Sequence, residues 1–246
     1  YGSNIANIAL ILGCTALIFP ILVTRSVINR ELPILTIVSL LCIPLLLDGK
    51  LSRVDGIVMI IVFIGIMIFL SVKQNKADSD NSSSEEETEV TSKRETSMVM
   101  SIVWLLVGLA VLVGSSQILV WGAKDIAHRC GVHELVVGLT VVAVGTSLPE
   151  LASSIAAAVK KEHDIALGNI IGSNLFNTLM VVGLAATVKP FDYDHEVLVR
   201  DFPVMIILTA ILFVPAVVTI FTKKTPKIGR FFGFILLTSY IVYTVH

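Results

Sequence analysis

Glu150 closes the run Val141-Val142-Ala143-Val144-Gly145-Thr146-Ser147-Leu148-Pro149-Glu150 within an apolar stretch over 135–159. It is the one side chain charged at neutral pH in any apolar stretch of this chain that lies away from the ends of its stretch. A charged side chain at bilayer depth costs about 2.5–3.5 kcal/mol on insertion scales, so it needs a cavity and a partner. Pro149 has no N–H, which deprives the Gly145 carbonyl of its helical partner, and the Thr146 and Ser147 hydroxyls add oxygens. One acid, two hydroxyls and a freed carbonyl within six residues suit a hard, oxygen-seeking cation. The plainer reading is a Pro-kinked helix whose Glu bonds a neighbour, but such a helix has no need of an acid.

A second polar feature follows in the apolar stretch over 165–188. Asn169, Ser173 and Asn177 lie at i, i+4 and i+8, a stripe on one helix face. Ser3 and Asn7 repeat its last two members at the start of the chain. Each Asn offers an amide oxygen and each Ser a hydroxyl. The same residue types also let membrane helices approach and hydrogen-bond. Beside Glu150, and duplicated, the stripe reads as a site.

These residues must be held by membrane helices. The chain has 246 residues, 55% hydrophobic and 15% charged, with a mean hydropathy of +0.89; soluble domains run nearer 25% charged. Its 18 Lys+Arg against 19 Asp+Glu exclude the basic excess of a nucleic-acid binder. Cys14, Cys42 and Cys130 make neither a disulfide framework nor a zinc site. Apolar runs predict eight spans, at 5–23, 32–47, 54–72, 99–121, 135–159, 165–188, 203–221 and 228–245. A long loop from Lys73 to Ser97, with Glu85-Glu86-Glu87, divides them and reads as a solvated linker. Alternate loops carry twelve and six Lys/Arg, which assigns the richer set, and the acidic loop with it, to the cytoplasm.

The chain is built from two related halves. Gly2-Ser3-Asn4-Ile5-Ala6-Asn7 returns as Gly172-Ser173-Asn174-Leu175-Phe176-Asn177, Pro33 as Pro203, Pro44 as Pro215, and Arg53 and Gly56 as Arg230 and Gly233. An odd number of spans separates the copies, so they cross the membrane in opposite senses, as in the inverted repeats of secondary transporters. Two spans precede Gly172 in the second half. The same pattern in the first half leads to the expectation that roughly 70 residues with two further spans precede Tyr1, for ten spans in all.

Gly145-Thr146-Ser147-Leu148-Pro149-Glu150 followed by Gly168-Asn169-Ile170-Ile171-Gly172-Ser173-Asn174 resembles the second alpha-repeat of the calcium/cation antiporters, the sodium/calcium exchanger superfamily. Gly2-Ser3-Asn4-Ile5-Ala6-Asn7 resembles the tail of their first alpha-repeat, and the pattern is most similar to the bacterial inner-membrane sodium/calcium antiporters. The resemblance implies an all-α polytopic membrane protein with the inverted-repeat exchanger fold, eight spans here of an expected ten. Its first exchanger repeat is 1–72, incomplete at the N-terminus; 73–98 is an acidic cytoplasmic linker and 99–246 the second repeat. It also implies alternating-access exchange of sodium for calcium, with no cofactor and both ions as cargo. Glu150 is then a principal carboxylate. Thr146, Ser147 and the Ala143 carbonyl are its fellow ligands, with Asn169, Ser173 and Asn177 from the facing helix and Ser3 and Asn7 from the other repeat. The family's second acid belongs to the expected preceding segment. Asn177 stands where some relatives carry Asp, and an amide there resembles the potassium-independent exchangers.

The expected setting is a bacterial inner membrane, with calcium, sodium and lipid as partners, no nucleic acid and no evident obligate protein partner. His128-Arg129-Cys130-Gly131-Val132-His133 and the Asp192, Asp194, His195, Glu196 cluster read as surface loops. One alternative is a proton-coupled antiporter in which Glu150 carries the proton. Another is a membrane scaffold or enzyme, which a chain without a His-Glu-x-x-His motif or a Ser/His/Asp set at membrane depth does little to support.

Overall fold

The computed structural model describes residues 1–81, 98–131, 145, 147–193, 197–215, 217 and 226–245. Helix follows helix, as the apolar runs predict, even across Pro44 inside the second: α1 (Gly2–Ile18), α2 (Val27–Leu46), α3 (Arg53–Asn81), α4 (Met98–Arg129), α5 (Leu148–Val159) and α6 (His163–Val188). A π-helical Val197–Asp201 leading into Phe202–Ile211 forms α7, and Arg230–Val245 forms α8. Each of the eight expected spans has a helix at its place. Among the described residues four helical stretches are long and apolar enough to cross a membrane: Val27–Leu46, Arg53–Val72, Ile102–Arg129 and His163–Val188. Gly2–Ile18, Leu148–Val159 and Arg230–Thr244 are shorter apolar helices. Residues 135–144 of the fifth expected span lie outside the described residues, as do 82–97 of the linker and 216 and 218–221 of the seventh span. α3 continues to Asn81, nine residues beyond the apolar run that ends at Val72, because no Pro or Gly interrupts Lys73 to Asn81. α4 likewise outlasts its expected end at 121, and Arg129 pairs with Asp125 at 2.8 Å one turn earlier.

The two halves repeat in space as in sequence. π-helical turns at Ala6–Ile11 and Phe176–Val181 are equivalent positions of the repeat, and so are those at Val27–Glu31 and Val197–Asp201. Short strands follow the same rule: β1 (Ile21–Leu22) matches β3 (Phe191–Asp192), and β2 (Lys50–Leu51) matches β4 (Lys227–Ile228). The antiparallel bridges cross between halves, with Leu22 opposite Lys227 and Lys50 opposite Asp192. Each bridge joins two loops from the same side of the predicted topology, and the two bridges cap opposite ends of the bundle.

Helix packing is exchanged in the same way. α1 packs on α8 and α6 packs on α3, so each repeat lends a helix to the other. Glycines allow both contacts: a Cβ on Gly13 would stand 3.1 Å from the Gly233 carbonyl oxygen, and one on Gly183 would stand 2.9 Å from that of Gly56. Backbones this close leave little room for a side chain, which is how membrane helices gain dispersion contact without a hydrophobic drive between them. The core, from Ile5, Ile8 and Leu12 to Leu175, Leu179 and Leu236, gathers around α1 and α6. Large apolar side chains such as Ile61, Ile68, Leu105 and Trp121 face outward on α3 and α4, as a lipid-facing surface requires.

Candidate cation site

α5 opens at the Glu150 motif. Pro149 occupies the first turn of the helix and Ser147 precedes it with φ −93° and ψ 0°. A proline is tolerated in the first turn of a helix, where its missing N–H would have no helical partner. Glu150 thus lies in the first turn of α5, where the positive end of the helix dipole favours a carboxylate. Glu150 Oε2 is buried without a hydrogen-bond partner. It lines a mainly apolar cavity of about 520 Å3 between α4 and α5, with Val113, Val120 and Trp121 beside Ser116, Gln117 and Lys124. The Gly145 carbonyl freed by Pro149 accepts a hydrogen bond from the Ser116 hydroxyl of α4 at 3.3 Å, so it is engaged by the fold. Ser147 is buried beside it. Ala143 and Thr146 lie outside the described residues, and so do His133, Asp194, His195 and Glu196.

Asn169 ties this start of α5 to α6. Its Nδ2 donates to the Glu150 carbonyl at 3.2 Å, to Ser153 Oγ at 2.8 Å and to Ser154 Oγ at 3.0 Å. The nitrogen is thus spent on positioning, and the amide oxygen remains as the candidate ligand. α5 also lies against the π-helical part of α1.

α1 and α6 cross at the other polar residues. Asn7 Nδ2 donates to Ser173 Oγ at 3.1 Å, and the equivalent bond of the other repeat, Asn177 Nδ2 to Ser3 Oγ, is made at 3.2 Å. Asn7 Nδ2 also reaches Asn174 Oδ1 at 2.9 Å, and Asn4 Nδ2 reaches Thr178 Oγ1 at 2.6 Å. The π-helical turns bracket both Asn7 and Asn177, and each inserts a residue into the helical register where these side chains meet. Stripe members Ser173 and Asn177 are therefore brought to Ser3 and Asn7 as the repeat predicts, through cross-repeat bonds. Among the described residues no group of three or more His, Cys, Asp or Glu gathers. The donor set is one carboxylate with amide and hydroxyl oxygens, which suits hard cations and not thiophilic metals.

The sequence reading named Ser3, Asn7, Ser173 and Asn177 but not Asn4, Asn174 and Thr178, which are 2%, 1% and 1% exposed at the same crossing. The signal was present for two of them, since Asn4 and Asn174 are the third residues of the repeated Gly-Ser-Asn. Ser153 and Ser154, one turn beyond Glu150, were also passed over.

The sequence profile of the Sodium/calcium exchanger protein family matches residues 1–72 and 100–246. The chain is 40% identical over 245 residues to CaxA of Alkalimonas amylolytica, a match that covers 98% of this chain and 75% of that protein. It is 46% identical over 110 residues to Sodium/calcium exchanger MaX1 of Methanosarcina acetivorans, covering 45% of this chain and 31% of the relative. The solved structure of the sodium-calcium exchanger NCX_Mj soaked with zero Na+ and Ca2+ superposes with a TM-score of 0.75 at 30% identity, covering 100% of this chain and 74% of that one.

Proposed function

Because the chain belongs to the sodium/calcium exchanger protein family and is a membrane cation antiporter, we propose that it exchanges sodium for calcium by alternating access, at a site shared between its two repeats. Glu150 supplies the charge. Thr146, Ser147 and the Ala143 carbonyl accompany it from its own segment, with Asn169, Ser173 and Asn177 from α6 and Ser3 and Asn7 from α1. The observation that carries this reading is the buried, unpartnered Glu150 Oε2 at a helix start, beside α1 and α6. A carboxylate oxygen left in that state costs free energy unless a cation or proton joins it. The amide nitrogens of Asn7, Asn169 and Asn177 are all donated to protein acceptors, which leaves their oxygens for a cation.

Calcium takes six to eight oxygens at 2.3–2.6 Å in general, and sodium can occupy overlapping oxygens once calcium has left. Competition for one carboxylate then couples the two fluxes. The inverted repeat supplies two related conformations open to opposite sides. In this reading 1–72 and 99–246 act as the two repeats and 73–98 as a cytoplasmic linker, in a bacterial inner membrane. The agreement of the family match with those two repeat ranges supports the division.

The test is calcium uptake into vesicles bearing the protein, with and without an outward sodium gradient. Uptake is expected to need the gradient and to fall at least a hundredfold in Glu150→Gln, the loss of a charge-assisted ligand in a dry site. Uptake driven by a pH gradient and indifferent to sodium would move the protein to proton coupling. Unchanged uptake in Glu150→Gln would remove Glu150 from the site.

A further inference from the structure

The repeat assigns every contact at the α1–α6 crossing a mate in the other half. Asn7 with Ser173 and Asn177 with Ser3 are mates, and both bonds are made. The bond from Asn7 to Asn174 Oδ1 at 2.9 Å has as its mate a bond from Asn177 to Asn4 Oδ1. That mate is not made: Asn4 Oδ1 is buried without a partner, although every atom needed for the bond is present in the sequence. The bond from Asn4 to Thr178 also lacks a mate, but for a different reason. The residue equivalent to Thr178 is Ile8, which has no acceptor, and Asn174 Nδ2 is accordingly left unpartnered. One asymmetry is therefore fixed by sequence, and the other belongs to the conformation.

A buried amide oxygen without a partner is costly, and a bond that the sequence permits but one conformation omits marks an element with two arrangements. We propose that Asn4 and Asn174 are positioning residues for the exchange cycle: the Asn7–Asn174 bond holds the conformation seen here, and the Asn177–Asn4 bond replaces it in the conformation open to the other side. The inference rests on the alternating-access reading above. Thr178 holds the Asn4 nitrogen and aims its oxygen, whereas Asn174, facing Ile8, has no such anchor. The two arrangements are thus unequal in energy, and the resting preference for one side follows from the Thr178/Ile8 difference between the repeats, to which Met205 adds a 3.4 Å contact from its Sδ to the Asn4 nitrogen where its mate is Leu35. Neither Asn4 nor Asn174 needs to touch the ion, because each acts through the ligand-bearing Asn of the opposite repeat.

The test reads sidedness without relying on transport. Gly2 and Gly172 are mates, and a Cβ on Gly172 meets no atom within 4 Å while one on Gly2 meets only the Tyr243 hydroxyl at 4.0 Å. Gly2→Cys and Gly172→Cys, each alone in a full-length background lacking the native cysteines, are labelled in membrane vesicles with an impermeant maleimide. The ratio of their labelling rates reports the balance of the two conformations. Asn174→Ala is expected to shift that ratio roughly fivefold one way and Asn4→Ala roughly fivefold the other, one neutral hydrogen bond each. Opposite shifts support the exchange of bonds. Shifts in the same direction, or none in either variant, overturn it, because a purely structural role would weaken the fold without favouring a side. If Asn4→Ala fails to reach the membrane, Asn4→Ser, too short to reach Asn177, takes its place with the same expected direction. Sodium-driven calcium flux is measured on the same vesicles. Its absence in the parent protein would count against the exchanger reading, while the labelling ratio still decides the bond exchange.

Discussion

One amide nitrogen, that of Asn169, holds a backbone carbonyl and two serine hydroxyls of α5 within 3.2 Å, and one of those hydroxyls, on Ser154, is wholly buried. Asn169→Leu leaves the buried Ser154 hydroxyl facing an apolar side chain, while the Glu150 carbonyl keeps its bond from Ser153 Oγ. Thermal unfolding in detergent is expected to show a loss of about 1–3 kcal/mol, the usual cost of orphaned buried polar groups; no loss would mean that α5 is held by packing alone. The sequence picked out Asn169 for its oxygen and said nothing of its nitrogen. An amide has a donor end and an acceptor end, and which end is spent on the fold depends on what packs against it. The same limit hid the Asn4–Thr178 bond, since nothing in Gly-Ser-Asn says which residue of the opposite helix will meet the third position.

At the scale of helices, the glycine contacts carry the exchange of α1 and α6 between repeats. A Cβ at Gly56 would stand 2.5 Å from the Gly183 carbonyl oxygen and 2.6 Å from Thr187 Oγ1, whereas one at Gly13 would stand 3.1 Å from its nearest atoms. Gly56→Ala is therefore expected to destabilise more than Gly13→Ala, both in the range of about 1–3 kcal/mol typical of overpacking. Gly65→Ala, with open space around it, should be neutral or stabilising by up to about 1 kcal/mol through helix propensity. Melting temperatures of the three variants give the order directly, and a Gly65→Ala loss matching Gly56→Ala would sink the close-approach argument. The existence and order of the helices were legible in the apolar runs, and their pairing as repeats in Gly-Ser-Asn, Pro33/Pro203 and Arg53/Arg230. The π-helical turns were not, because a shift from i+4 to i+5 bonding is decided by what the neighbouring helices require and has no residue signature of its own.

The whole molecule is an inverted repeat whose halves clasp one another at both ends. Leu22→Cys with Lys227→Cys, and Lys50→Cys with Asp192→Cys, place thiols on directly opposed strand residues, within the Cα separation a disulfide spans. In sealed vesicles an impermeant reductant should open one of these disulfides and spare the other, with the pattern reversed in inverted vesicles. If both open from the same face, α2, which lies between β1 and β2, does not cross the membrane and the predicted topology fails. The sequence by itself determined what composition and period can carry: a membrane protein of helices in two related halves, an acid at an unfavourable depth, and the polar residues that recur with it. These are properties of each segment against its solvent, and a segment carries them wherever it packs. Only the tertiary structure decided which partner each polar atom takes: that the Gly145 carbonyl goes to Ser116, that Glu150 Oε2 is left without one, and that Asn7 reaches Asn174 while Asn177 does not reach Asn4. Hydrogen bonds between helices depend on distances of a few tenths of an ångström, and those are set by the packing of the whole bundle.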